Sequence, residues 1–292
     1  MIDLIIPTLS QGLLWSLLAL GVYITFRVLD FADMTVEGSF PLGAAICVYF
    51  LIRDHHPLLA LLAAGLLGGV AGIVTGLLHT KLRIPSLLAG ILSMIALYSV
   101  NLRIMGKANV SLLGKETAFT YMETLGLDYA QSVFIVGLLA TVVIGTLIYW
   151  FFGTEIGAAI RATGFNPQMI RAQGIDTNVM LLLGLFLSNA LTSMAGAFIG
   201  MNNGFFDVGM GVGTIVIGLA SVIIGEVLFG TRSFKNSLVS VILGSIVYRF
   251  VIAIVLQMGM PPNDLKLFTS VLVVIALALP MMRDKVQRRK VG

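Results

Sequence analysis

Few side chains in this sequence are placed to do chemistry. Arg249 lies well inside the apolar run "SLVSVILGSIVYRFVIAIVLQ" (237–257), and Glu226 lies near the end of the run before it. An ionisable residue in such a run is a functional candidate by default, because lipid penalises the charge. Two readings of Arg249 stand side by side. It faces a path and meets a cargo carboxylate, or it pairs across the helices or snorkels to water. Glu226 is expected to orient the following loop or to pair with Arg232. Neither belongs to a catalytic set. A phosphate loop needs G-x-x-x-x-G-K-[ST]. The nearest stretch, "NVSLLGKE" (109–116), has Asn109 for the first glycine and Glu116 for the hydroxyl. No HExxH or paired Cys/His spacing suggests a metal. His55 and His56 read as a solvated pair before Pro57. The single cysteine, Cys47, leaves no intrachain disulfide.

The elements that must hold these residues are membrane helices. Of 292 residues, 58% are hydrophobic and only 11% charged, against about 25% charged in soluble domains. Mean hydropathy is +1.01. Frequent glycine, 32 in all, suits helices that pack closely in lipid. The net charge of +4 is small, and its basic part lies in the tail "RDKVQRRKVG" (283–292). That pattern points to anionic lipid at a cytoplasmic end rather than to nucleic acid. The first apolar stretch has only Asp3 before it and is too long for a signal-peptide core, so it reads as a retained span.

Nine stretches are candidates to cross, at 4–26, 36–52, 57–79, 84–105, 131–152, 178–200, 208–229, 236–257 and 264–280. The second and seventh are interrupted by glycine, the second also by Pro41. Interrupted helices of this kind line paths inside a bundle. With the C-terminus inside, inner segments hold Arg27, Lys81, Arg83, Arg161, Arg171, Arg232, Lys235 and five tail residues. Outer segments hold Arg53, Arg103, Lys107, Lys115 and Lys266. The bias predicts an N-out, C-in arrangement. The order of features also repeats: a full span, a short acidic loop ("DFADMT", then "MNNGFFD"), a broken span and two more spans. Four spans, one linker and four spans give two halves of opposite topology, a transporter signature. The expected all-α organisation is repeat one (1–105), outer segment (106–130), linker span (131–152), cytoplasmic helices (154–177), repeat two (178–280) and basic tail (281–292).

One polar island interrupts the second half: "GAAIRATGFNPQMIRAQGIDTN" (157–178). Its caps are readable. Thr154 caps a helix over 155–163, with Gly164 ending it in the left-handed conformation. Asn166 caps a second helix with Pro167 at its first position, and Gly174 closes it. Asp176, Thr177 or Asn178 then caps the next span. The island is a rigid, partly apolar knob. It is a docking element for a partner, or an amphipathic loop on lipid headgroups.

The island resembles the coupling segment of ATP-binding-cassette importer permeases of the branched-chain amino acid and ribose type. Their Gly-x-Ala-x-Arg-Ala…Asn-Pro…Ala…Gly-Ile pattern is met by Gly157, Ala159, Arg161, Ala162, Asn166, Pro167, Ala172, Gly174 and Ile175. "GLLWSLLALGVYITFRVLDFADMTVEGSFPLGAAI" (12–46) is similar to the family's first repeat, and "GTIVIGLASVIIGEVLFG" (213–230) to its Gly-rich span. The family's Asn-Phe-Ala-His/Gln-Gly is here "DFADM", with Asp30 and Asp33. "DMTVEGSF" looks closest to a branch associated with aromatic amino acids.

The resemblance implies a fold similar to the membrane subunit of the vitamin B12 importer, in two copies. It implies two ATPase subunits that bind ATP and Mg and take the coupling helices into surface clefts, and an external binding protein that delivers cargo. The chain itself then carries no cofactor. The coupling residues are Gly157, Arg161, Ala162, Gly164, Asn166, Pro167, Arg171 and Gly174. The resemblance also places Ser86, Ser93, Met94, Leu97, Thr269 and Ser270 along the path; Arg249 joins them on the first of its two readings. The Ser and Thr hydroxyls there serve the path or bond helices together. The outer segment 106–130 is the expected docking place for the binding protein. The rival functions are an ion-coupled secondary transporter, disfavoured by the scarcity of intramembrane carboxylates, and a membrane-embedded enzyme, which lacks a clustered catalytic set.

Overall fold

The computed structural model describes residues 2–112, 114–261, 264–265, 267–271 and 273–274. Eleven helices matter here. They are α1 (Ile2–Tyr23), α2 (Val36–Ile52), α3 (Pro57–Thr80), α4 (Ser86–Met105), α5 (Ala118–Glu123), α6 (Tyr129–Phe152), α7 (Glu155–Phe165), α8 (Pro167–Ala172), α9 (Thr177–Asn203), α10 (Thr214–Phe229) and α11 (Phe234–Gln257). A π-helical turn, Ile24–Val28, extends α1. Helices stand at eight of the nine expected positions. The ninth, 264–280, lies mostly outside the described residues, as does the tail.

Seven helical segments among the described residues are long and apolar enough to cross a membrane. The second stretch, one of the two interrupted ones, forms a shorter helix. At 17 residues, α2 is about 25 Å long, short of the roughly 30 Å hydrocarbon core. The chain before it, residues 29–35, enters the body without forming a helix. The described residues are mostly helical, as expected of an all-α chain, with one small addition. Two short strands, β1 (Asn109–Ser111) and β2 (Phe205–Asp207), pair antiparallel with Val110 opposite Phe206. Both side chains are buried, so the pairing satisfies exposed backbone while closing the end of the core.

Burial ranks the helices. The most apolar window of α1 is 67% buried, that of α4 only 22%. So α1 is the inner post, packed by α6, α9, α10 and α11, while α4 is peripheral. Helix α2 packs on α3 and α9, and α10 on α11 and α1; α3 lies along α9, and α11 along α1. The molecule has two ends. Strands β1 and β2 mark one, with Lys115 bonded to Asp54 at 2.7 Å. Helices α7 and α8 mark the other, where Arg27 of the π turn pairs with Glu226 of α10. That pair replaces the expected Glu226–Arg232 contact. The ends of α1 and α10 are brought together by tertiary packing, which nearest-in-sequence reasoning does not see.

Between the ends, α2 and α10 both begin inside the body, and their N-terminal ends meet. The Gly213 N–H, just before α10, donates to Glu37 Oε1 in the first turn of α2 at 3.0 Å. Donors left open at a helix start need such acceptors, and a carboxylate there also meets the positive end of the dipole.

Candidate functional site

The knob is built from local hydrogen bonds. The Gly157 N–H donates to Thr154 Oγ1 at 3.3 Å, starting α7. The Met169 N–H donates to Asn166 Oδ1 at 3.0 Å, starting α8 behind Pro167. Gly174 has φ +84° and turns the chain out of α8. Asp176 caps α9 by accepting from the Asn178 N–H at 2.8 Å. These caps are as expected. The end of α7 is not: the helix runs on to Phe165, and Gly164 is one of its internal residues. A Cβ at Gly164 would overlap the Val28 carbonyl oxygen. The glycine serves close approach to the end of the π turn, not a left-handed stop.

Ile160 and Ile170 anchor the two helices in the body, at 0% and 3% exposure. Opposite them, Phe165 is 93% exposed at the corner between α7 and α8, with Met169 next to it at 46%. The two arginines turn different ways. Arg171 is exposed, and its Nε donates to Thr177 Oγ1 at 2.7 Å, tying α8 to α9. Arg161 is half-buried and lies over the Phe234 ring at 5.0 Å, at the base of the knob. Beside the corner, a cleft of about 570 Å³ is lined by Asp30, His79, Arg83, Phe165 and Arg171 among others. It draws the α3–α4 loop into the same face. Asp30 and Arg83 both hold positive φ there, 51° and 56°, a costly state for side chains of this size.

The candidate path residues fall into two groups. Ser93 is buried and accepts from Thr75 Oγ1 at 2.7 Å; Thr75 in turn bonds Thr35 at 2.7 Å. Met94 and Leu97 pack on Gly38 of α2. Ser86, the first residue of α4, is half-buried. Arg249 stands in the other group. Its guanidinium stacks on Trp15 at 3.9 Å, and Trp15 lies against Phe40 of α2. Its Nε and Nη2 atoms are shielded and lack hydrogen-bond partners among the described residues. So Arg249 reaches across the bundle, but to an aromatic face rather than to an ion. Thr269 lies beside Tyr248 of α11, and Ser270 is exposed.

A polar knot underlies the first group. Asp33 is fully buried. Its Oδ1 accepts from the Thr35 N–H at 2.9 Å, and its Oδ2 from Asn189 Nδ2 at 2.7 Å. Asn189, midway along α9, accepts from Ser39 Oγ at 2.7 Å through Oδ1. One amide side chain thus fixes the loop before α2 and α2 itself to α9.

A family model described as branched-chain amino acid transport system, permease component, matches residues 4–278. The chain belongs to this family. A tyrosine transport system permease protein of Clostridioides difficile is 40% identical over 274 residues, covering 94% of this chain and 90% of its own. An uncharacterised Rickettsia prowazekii protein is 31% identical, covering 97% of this chain and 99% of its own. The autoinducer 2 import system permease LsrC of Salmonella typhimurium is 26% identical over 75% of this chain and 61% of its own. No solved structure matches.

The protein is therefore a transport permease component and not an enzyme. Within this permease, sequence reasoning missed Phe165, Glu37 and Asn189. Phe165 carried a signal, a large apolar residue directly before an Asn-Pro helix start. Asn189 carried only its rarity, a side-chain amide in an apolar run. Asp33 stands out in the sequence as a departure from the family pattern, but its partner does not.

Proposed function

We propose that this permease is the membrane-spanning subunit of an ATP-driven importer. It receives a small polar solute from an external binding protein and passes it to the cytoplasm. The tyrosine permease relative favours an aromatic amino acid as that solute. The observation that carries the reading is the knob. Two capped helices form a stiff body rooted by Ile160 and Ile170, with Phe165 and Met169 left exposed at its tip. A large aromatic displayed on a rigid support is what a partner's pocket uses as an anchor. In this reading the ATPase subunit grips that tip. Gly157, Ala162, Gly164, Asn166, Pro167, Arg171 and Gly174 hold the knob's shape, and Arg161 braces its base. ATP and Mg belong to the ATPase.

The knob then faces the cytoplasm. Among the described residues, its end of the molecule carries Arg27, Lys81, Arg83, Arg161, Arg171, Arg232 and Lys235, against Arg53, Arg103, Lys107 and Lys115 at the strand end. That asymmetry supports knob-in; with residues 29–35 completing the passage of α2 and 264–280 as the last passage, the C-terminus is then cytoplasmic. The binding protein docks on the strand end, over residues 106–130.

Two inverted repeats give the path its symmetry. Exchanging α1 with α9, α2 with α10 and α3 with α11 maps one set of packed pairs onto the other. The loops before the two half-helices share a turn: Asp33 accepts from the N–H two residues on, and so does Asp207, at 2.7 Å from Gly209. A fold similar to the membrane subunit of the vitamin B12 importer, two copies per transporter, and a path along α4 and the helix after α11 follow from this reading.

Reconstitution tests it. Vesicles holding the permease with its ATPase and binding protein should take up labelled tyrosine only with ATP inside the ATPase compartment. Uptake by the permease alone, driven by an ion gradient without ATP, would make it a secondary transporter instead.

A further inference from the structure

Where Arg161 turns away from the knob's tip, it enters a groove of about 600 Å³ between the end of α6, the start of α7 and the start of α11. We propose that this groove binds the phosphate of an anionic phospholipid. Among the described residues, Arg161 and Lys235 line it and no carboxylate does. The acid nearest along the chain, Glu155, is exposed and outside the lining, and Glu226 is engaged by Arg27. The Arg161 Nε is shielded from solvent, yet has no hydrogen-bond partner among the described residues. A buried cationic donor left open is costly, and an oxygen-rich anion entering the groove would satisfy it.

The walls fit a lipid rather than a free ion. Tyr149 and Trp150 stand at the mouth, 49% and 68% exposed at the last turn of a membrane helix. Aromatic rings at that level mark the headgroup region. Thr154 and Ser233 also line it with hydroxyls. Basic pockets between membrane helices at this depth hold lipid head groups. The acyl chains would run along the exposed face of α6, where Leu139, Val142, Val143 and Leu147 are open. A lipid held here touches the base of α7 and the start of α11 together, so leaflet composition would bear on how the knob is held. The inference needs neither the ATPase nor the knob's sidedness.

The full chain, purified in mild detergent, is loaded with an equal mixture of phosphatidylglycerol and phosphatidylcholine, and retained lipid is counted by native mass spectrometry. The wild type should retain phosphatidylglycerol in preference. Lys235→Gln, a change at an exposed residue, should lower that retention about fivefold, the effect of one cation near a headgroup. Arg161→Gln should lower it further, and Arg161→Lys should restore most of it. Lys81→Gln, at the same end but outside the groove, should leave it unchanged. Excess inorganic phosphate should not displace the lipid. Equal retention in wild type and Lys235→Gln, equal loss with Lys81→Gln, or displacement by inorganic phosphate would each overturn the proposal. So would weakened ATPase capture by Lys235→Gln with lipid retention unchanged, which would give the groove to the partner while leaving the importer reading intact.

Discussion

The knob and the mid-depth knot hold their polar groups by opposite means. In the knob, Thr154, Asn166 and Asp176 each serve a backbone N–H two or three residues away. In the knot, Thr35 reaches Thr75, 40 residues on, and Asp33 reaches Asn189, 156 residues on. The knob is thus complete in itself and attached to the body at a few points. The knot is nothing without the body, since it is what fastens α2 to α9. On the proposed function, the part that is pushed has the first kind of construction and the frame it pushes against has the second.

Breaking the knot should cost most. Asn189→Leu leaves the Asp33 carboxylate and the Ser39 hydroxyl without their partner in a buried place. We expect a loss of about 3 kcal/mol or more, read as a collapse of folded yield by fluorescence-detected size exclusion. Next comes the point where the knob touches the frame. Gly164→Ala drives a methyl into the Val28 carbonyl and should cost about 1–3 kcal/mol, seen as a lower unfolding temperature in detergent. Smallest is a change inside the knob. Thr154→Ala removes one cap and should cost about 1 kcal/mol, detected as faster proteolysis between α6 and α7 with the rest of the fold intact. If Thr154→Ala were as damaging as Asn189→Leu, the knob would not be the separable unit described here.

The same contrast explains what the amino-acid sequence discloses. The caps of α7, α8 and α9 are legible because each donor and acceptor lies within a few residues and the turn chemistry is local. Gly164 misleads because a glycine near a helix end has two uses, a left-handed stop or a close contact. Only the position of Val28, 136 residues earlier, decides between them. Glu226 misleads in the same way, since Arg232 is near in the chain and Arg27 is near in space. The mid-depth start of α2 hides behind its composition. "VEGSFPLGAAICVYFLI" is apolar enough for a span and is shortened only because residues 29–35 enter without helix. Arg249 stands out in the sequence by its setting, yet its stacking partner Trp15 carries no charge for a pairing argument to find.

Phe165 gives the most direct test of the central claim, that an ATPase grips the exposed corner of the knob. The single native cysteine, Cys47, is buried, so Phe165→Cys supplies one accessible thiol. In the assembled, nucleotide-loaded transporter that thiol should crosslink to the ATPase subunit and resist a soluble maleimide. Free labelling in that complex, or labelling from outside intact cells, would contradict the account.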